Sequence, residues 1–231
     1  MKEIIVPVPV QDEGSMQVNK RVVEKFITNP DFPFLISFPR TGSHWLRMTM
    51  ELYFEKPSLV RIFYYKDATD FTCYHRHDEE LDIKRKNVVY LYRHPMDTIY
   101  SQLNYYKQNV DDRKRIEYWA NLYGRHLAKW LLEEKFTTKK TIITYEGMKK
   151  NMIREFKKIC GHFSAPFNWE KLQPVSKKVA KTEVKRKTLH DKQVINLSDS
   201  YQLGRKKFKK DHLVFIMDHI YSVNEELKRY F

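Results

Sequence analysis

The chain has 231 residues, 42% of them hydrophobic and 14% aromatic, which supplies a sizeable core and excludes a disordered or fibrous chain. No window approaches the ~18 consecutive apolar residues of a membrane-spanning helix, and the length favours one domain. Forty-three Lys and Arg against 29 Asp and Glu leave a net charge of +14, a field suited to nucleic acid, a membrane surface, an acidic glycan or a multiply phosphorylated nucleotide.

In chain order, residues 1–20 read as a loosely held entry segment, with one domain expected over 21–231. The run from Ile4 to Val10 is broken by Pro7 and Pro9 and followed by Gln-Asp-Glu-Gly, without the h-region or cleavage site of a signal peptide, so a cytoplasmic protein is expected. Phe34 to Phe38 predicts a buried strand, Pro39 to Ser43 a turn, and His44 to Leu52 a helix. The same order returns at Asn87 to Tyr92, a nearly continuous apolar run; it ends at Arg93-His94, and Pro95 suits the first turn of the next helix. Ile116, Trp119, Leu122, Tyr123, Leu127, Trp130 and Leu131 mark a long amphipathic helix. Lys140 to Tyr145 predicts a third strand followed by a helix to about Cys160, and Asp211 to Tyr230 reads as a closing helix. Strands alternating with helices predict a three-layer α/β domain whose central parallel sheet binds ligands at the carboxyl ends of its strands. Cys73 and Cys160 form neither a disulfide framework nor a metal set and read as two free thiols.

The Pro-Arg-Thr-Gly-Ser turn gathers backbone N–H groups and a helix N-terminus at one spot, a setting for an anion. It lacks the Lys-Ser or Lys-Thr pair that an ATPase or GTPase uses for phosphate and Mg²⁺. Arg93 ends the next buried strand, and Ser101 lies on the helix after it; a guanidinium and a hydroxyl there suit a second phosphate. Residues 171–210 are strongly basic, which a solvated face or an anionic ligand explains equally well.

Phe38-Pro39-Arg40-Thr41-Gly42-Ser43-His44-Trp45 resembles the 5'-phosphosulfate loop Y-P-K-S-G-T-T-W of the sulfotransferases that use 3'-phosphoadenosine 5'-phosphosulfate (PAPS). Val89 to Ser101 resembles their 3'-phosphate signature V-x-x-x-R-N-P-x-D-x-x-x-S, with the Arg-to-Ser spacing kept. Tyr145-Glu146-Gly147-Met148-Lys149 is similar to the family's Y-E-D-[LM]-K segment, and Gly204 to Lys209, more weakly, to its R-K-G segment. The resemblance implies a P-loop-like sulfotransferase fold, PAPS as co-substrate, and 3'-phosphoadenosine 5'-phosphate (PAP) as product. It puts Arg40 in the place of the family's catalytic Lys. Thr41, Gly42, Ser43 and His44 would wrap the 5'-phosphosulfate, and Trp45 would stack on adenine. Arg93, Ser101, Arg205 and Lys206 would hold the 3'-phosphate, with Tyr145 lining the site. His77, in the run Tyr74-His75-Arg76-His77-Asp78, aligns best with the acceptor-activating base, His75 and Asp78 being the alternatives. No metal is required, because a sulfuryl group carries less charge than a phosphoryl group.

The implied acceptor is a hydroxyl or amine of a small molecule or glycan. A P-loop nucleotide kinase shares the strand-turn-helix grammar but calls for the missing Lys-Ser/Thr pair. A basic nucleic-acid-binding module accounts for 171–210 but leaves Arg40, Arg93 and Ser101 without a role.

Overall fold

The computed structural model describes residues 6–7, 16–133, 135, 137–188, 196 and 198–231. Short strands β1 (Val6–Pro7) and β2 (Met16–Gln17) precede α1 (Lys20–Ile27), β3 (Phe34–Ser37) and α2 (Ser43–Phe54). After β4 (Arg61–Ile62) and β5 (Tyr74–Arg76) come β6 (Asn87–Tyr92), α3 (Pro95–Tyr105) and α4 (Arg113–Leu127), which widens into a π turn over Ala128–Leu132. Next are β7 (Lys139–Thr144), α5 (Tyr145–Lys150), α6 (Met152–His162), α7 (Trp169–Lys178) and α8 (Lys181–Lys187). Then α9 (Asp199–Val223) and a 3₁₀ turn (Glu225–Tyr230) close the chain. Of the entry segment 1–20, residues 1–5 and 8–15 lie outside the described residues; β2 pairs antiparallel with β1 and β4. Among the described residues no helix is long and apolar enough to cross a membrane.

The main sheet is parallel throughout, in the order β5-β3-β6-β7. Side chains alternate across a strand, and both faces here are apolar. Phe34, Ile36, Val88 and Tyr90 pack with Ile99 of α3, Tyr123 of α4 and Ile216 of α9. Leu35, Val89, Leu91 and Ile143 pack with Leu46 and Met50 of α2 and Phe156 and Ile159 of α6. That gives the expected three layers, each buried aliphatic or Phe side chain contributing roughly 1.5–3 kcal/mol of transfer free energy.

Several boundaries differ from the sequence reading. The third strand ends at Thr144, because the Thr144 hydroxyl accepts from Gly147 N–H at 2.7 Å and starts α5 at Tyr145. The helix expected to Cys160 is two, divided where Asn151 caps α6 by accepting from Arg154 N–H. The closing helix begins at Asp199 rather than Asp211, capped by the Ser198 hydroxyl. Gly204 sits inside it because a Cβ there would meet the Tyr100 hydroxyl at 2.4 Å. Strand β5 was not expected at all, its sequence being polar.

Two features fix the turn after β3 and the segment after β5. Gly42 has φ +96°, and a Cβ on it would lie 2.6 Å from the Tyr145 ring. The Tyr90 hydroxyl, 3.0 Å from His126 Nδ1, meets the buried imidazole, whose Nε2–H donates to the His77 carbonyl at 2.7 Å. Burial, foremost, holds His126 down to about 3.

Gly42→Ala is therefore expected to cost about 1–2 kcal/mol from the left-handed backbone alone, with a further loss from moving Tyr145; urea unfolding measures it. Between pH 6.5 and about 3 the unfolded chain protonates His126 while the folded chain does not, so stability falls as pH falls. The contribution is about 1.4 kcal/mol per pH unit, and His126→Gln should flatten that slope in urea titrations at pH 7, 6 and 5.

Candidate active site

Strands β3 and β6 are neighbours, yet β3 leads into α2 on one face of the sheet and β6 into α3 on the other. Diverging connections leave a crevice at the carboxyl ends of such strands. A cavity of about 850 Å³ opens there. From the first turn it takes Arg40, Gly42, Ser43, His44 and Trp45; from the second, Arg93 and Ser101; and from elsewhere His77, Tyr145 and Arg205.

Arg93 is held from behind. The Tyr123 hydroxyl donates to its carbonyl at 2.7 Å and accepts from its N–H at 3.1 Å. Its Nη1 donates to the Arg40 carbonyl at 3.2 Å, and its guanidinium lies 4.5 Å from the centre of the Tyr145 ring. Asp97 Oδ1 stands 4.0 Å from Arg93 Nη2 and 3.6 Å from Arg205 Nη1, so one carboxylate draws two guanidiniums together. The buried Arg93 Nε has no hydrogen-bond partner, an unspent donor of the kind an anion satisfies. Arg40 Nε donates to the Ser101 hydroxyl at 3.3 Å while its guanidinium lies 4.6 Å from the Tyr105 ring centre. Arg40 has φ 71°, the left-handed region, so the turn holds this side chain in place at a backbone cost. Trp45 meets Tyr145 edge-on at 5.5 Å.

His77 Nδ1–H donates to the Ser37 carbonyl at 2.6 Å. Since a carbonyl only accepts, the neutral ring keeps Nε2 as a free-lone-pair acceptor. Burial first, and then Arg47 and Arg76, lower the His77 pKa against the raising effect of the Ser37 carbonyl, so the neutral form prevails near pH 7. Of the alternative bases, His75 is buried with Nε2 3.0 Å from the Ser37 hydroxyl. Asp78 is buried and takes two bonds from Arg85, at 2.9 and 3.1 Å. Neither reaches the large cavity.

Two other expected residues stand off the wall. Thr41 is fully buried and its hydroxyl donates to the Phe38 carbonyl at 2.7 Å, which shapes the turn from inside. Lys206 is exposed on α9, because the helix turns Arg205 inward and its neighbour out. The basic stretch divides in the same way: Lys181 and Arg205 line the cavity, whereas Lys171 pairs with Glu55 at 3.0 Å and Arg186 with Glu183 at 2.8 Å. Residues 189–195 and 197 of that stretch lie outside the described residues. Sequence reasoning passed over Lys181, whose pKa is lowered by burial and then by Lys149, Arg205 and Arg93. It also passed over Tyr123, which reads as an ordinary core position of α4.

The sulfotransferase domain family matches residues 72–219, more than half of the chain. No curated protein matches it in sequence. Among solved structures, mouse sulfotransferase SULT7A1 complexed with PAP is similar over 88% of this chain and 94% of that one, at 15% identity and a TM-score of 0.56. Retinol dehydratase in complex with androsterone and inactive cofactor PAP is similar over 92% and 90%, at 13% identity and a TM-score of 0.51. Both likenesses concern the fold. With its matched span containing Arg93, Ser101, Tyr145 and Arg205, the chain belongs to the sulfotransferase domain family.

Proposed function

We propose that the protein transfers the sulfuryl group of PAPS to a hydroxyl or amine of a small molecule or glycan. The observation that carries this reading is the meeting of Arg40, Arg93, Arg205 and the Ser101 hydroxyl in one cavity, with Arg93 Nε unpartnered. Two anionic groups on one ligand suit such a cluster better than one. The PAP bound in both structural neighbours supports the same ligand for this chain, and the androsterone in one supports a small-molecule acceptor. Two buried free thiols, Cys73 and Cys160, support a reducing, cytoplasmic setting.

Arg93, Ser101 and Arg205 take the 3'-phosphate; Gly42, Ser43 and His44 at the start of α2 face the 5'-phosphosulfate; Trp45 and Tyr145 offer apolar faces to the adenine. In transfer the acceptor oxygen or nitrogen bonds to sulfur, and the bond from sulfur to the 5'-phosphate oxygen breaks. The acceptor proton goes to His77 Nε2, and PAP leaves with its new charge against Arg40. Positioning and charge stabilisation supply most of the rate in such loose displacements. The role of Ser37 is to keep His77 in the tautomer that accepts this proton.

With PAPS and any competent acceptor, Arg40→Ala is expected to lower kcat by about 10²–10³ and His77→Ala by about 10²–10⁴, while PAP still raises the melting temperature of both. Because His77 must be neutral and its pKa is depressed, the acid limb of kcat/KM should lie below pH 6.5 and vanish in His77→Ala. Activity of either variant close to that of the parent protein sinks the assigned role.

A further inference from the structure

A second cavity, about 500 Å³, adjoins the first; His44, His77 and Glu79 line both. The Arg40, Arg93 and Arg205 of the first do not line it, and its own wall carries Arg47, Arg61 and Arg76.

Arg47 is 3% exposed. Its Nε donates to the Ser58 hydroxyl at 2.7 Å and its Nη2 to the Arg61 carbonyl at 3.0 Å, and no carboxylate pairs with it among the described residues. Glu51, one turn along α2, spends its carboxylate on the N–H groups of Phe63, Tyr64 and Tyr65. Burial, followed by the neighbouring Arg61, brings the Arg47 pKa down to about 10 against the raising pull of Cys73 and Glu51. A buried cation whose nearest carboxylate, Glu51, is spent on backbone N–H groups and forms no ion pair with it is costly, and a bound anion offsets part of that cost. The remaining charges do not supply it. Asp78 is saturated by Arg85, and Glu79 and Glu80 are exposed. His44 and His75 are held neutral chiefly by burial, with Arg47 the next contribution to each, so its charge is felt by both rings.

We infer that this cavity takes a hydroxyl-bearing anion as sulfuryl acceptor, a small carboxylate or phosphate ester whose charge rests on Arg47 and Arg61 and whose hydroxyl faces His77. The volume suits a ligand of one or two rings. The inference rests on the sulfotransferase reading and adds the acceptor's charge to it. A neutral, apolar acceptor leaves Arg47 without an ion-pair partner among the described residues.

The test is titration calorimetry on PAP-loaded protein, so that the nucleotide's own anion sites are filled. Two matched pairs serve as probes: 4-hydroxyphenylacetate against its methyl ester, and glucose 6-phosphate against glucose. At least one anion should bind about tenfold or more tightly than its neutral partner. Arg61→Ala, or Arg61→Gln should the alanine variant not fold, should lower that ratio about threefold or more with PAP affinity unchanged, the part resting on Arg47 remaining. The inference is overturned if the neutral partners bind as well as the anions, if the preference is unchanged by loss of the Arg61 charge, or if no probe binds protein that binds PAP. Failure of PAP itself to bind strikes the underlying reading instead.

Discussion

Everything in this molecule depends on the parting of the chain after β3 and β6. Two neighbouring strands hydrogen-bonded along Phe34–Ser37 and Val88–Leu91 send their helices to opposite faces. The crevice that results receives the first turn of α2, the guanidinium of Arg93 and, through α3, the Ser101 hydroxyl. No single residue creates the site; the apolar alternation that buries both sheet faces also decides where the strand ends are left open. Tyr123 ties core and site together, since its ring packs on Phe38 at 4.6 Å and its hydroxyl holds both backbone groups of Arg93.

The electrostatics follow from that placement. Like charges crowd the crevice, and the fold tolerates them by partial means: Asp97 shared between two guanidiniums, aromatic rings beneath Arg40 and Arg93, and exposure of the rest of the basic stretch. A site organised in this way is poised for an anion and less stable without one, as expected where function competes with stability. The histidines are treated in the opposite manner. Burial keeps His44, His75, His77 and His126 neutral, so the positive field comes from arginines that cannot lose it. One backbone carbonyl, that of Ser37, then decides which nitrogen of His77 can take a proton.

The apolar strands at 34–38 and 87–92 and the helices after them were legible because strong periodicity and glycine or proline punctuation agree with the tertiary structure. Strand β5 was not: Tyr74-His75-Arg76 has no apolar run, and only pairing with Phe34–Ile36 makes it a strand. The start of α9 was hidden by a lysine-rich run and by Gly204, which packs against Tyr100 instead of ending a helix. Among site residues, Arg40, Arg93, Ser101 and Tyr145 could be read from motif spacing. Thr41 belongs to the same motif but points inward, which spacing alone does not reveal. Arg47 and Arg61 belong to no motif in the sequence, because their meeting over one cavity depends on the turn from α2 to β4.

The central claim is that the crevice is built for an adenine nucleotide phosphorylated at both the 3' and 5' positions. It is tested most directly by thermal unfolding with PAP, with ADP plus Mg²⁺, and with adenosine 5'-phosphosulfate lacking the 3'-phosphate. A ligand that binds only the native state raises the melting temperature. PAP should give the largest rise, and Arg93→Ala should remove its advantage over the ligand without a 3'-phosphate. An equal or larger rise with ADP plus Mg²⁺, or no rise with PAP, contradicts it.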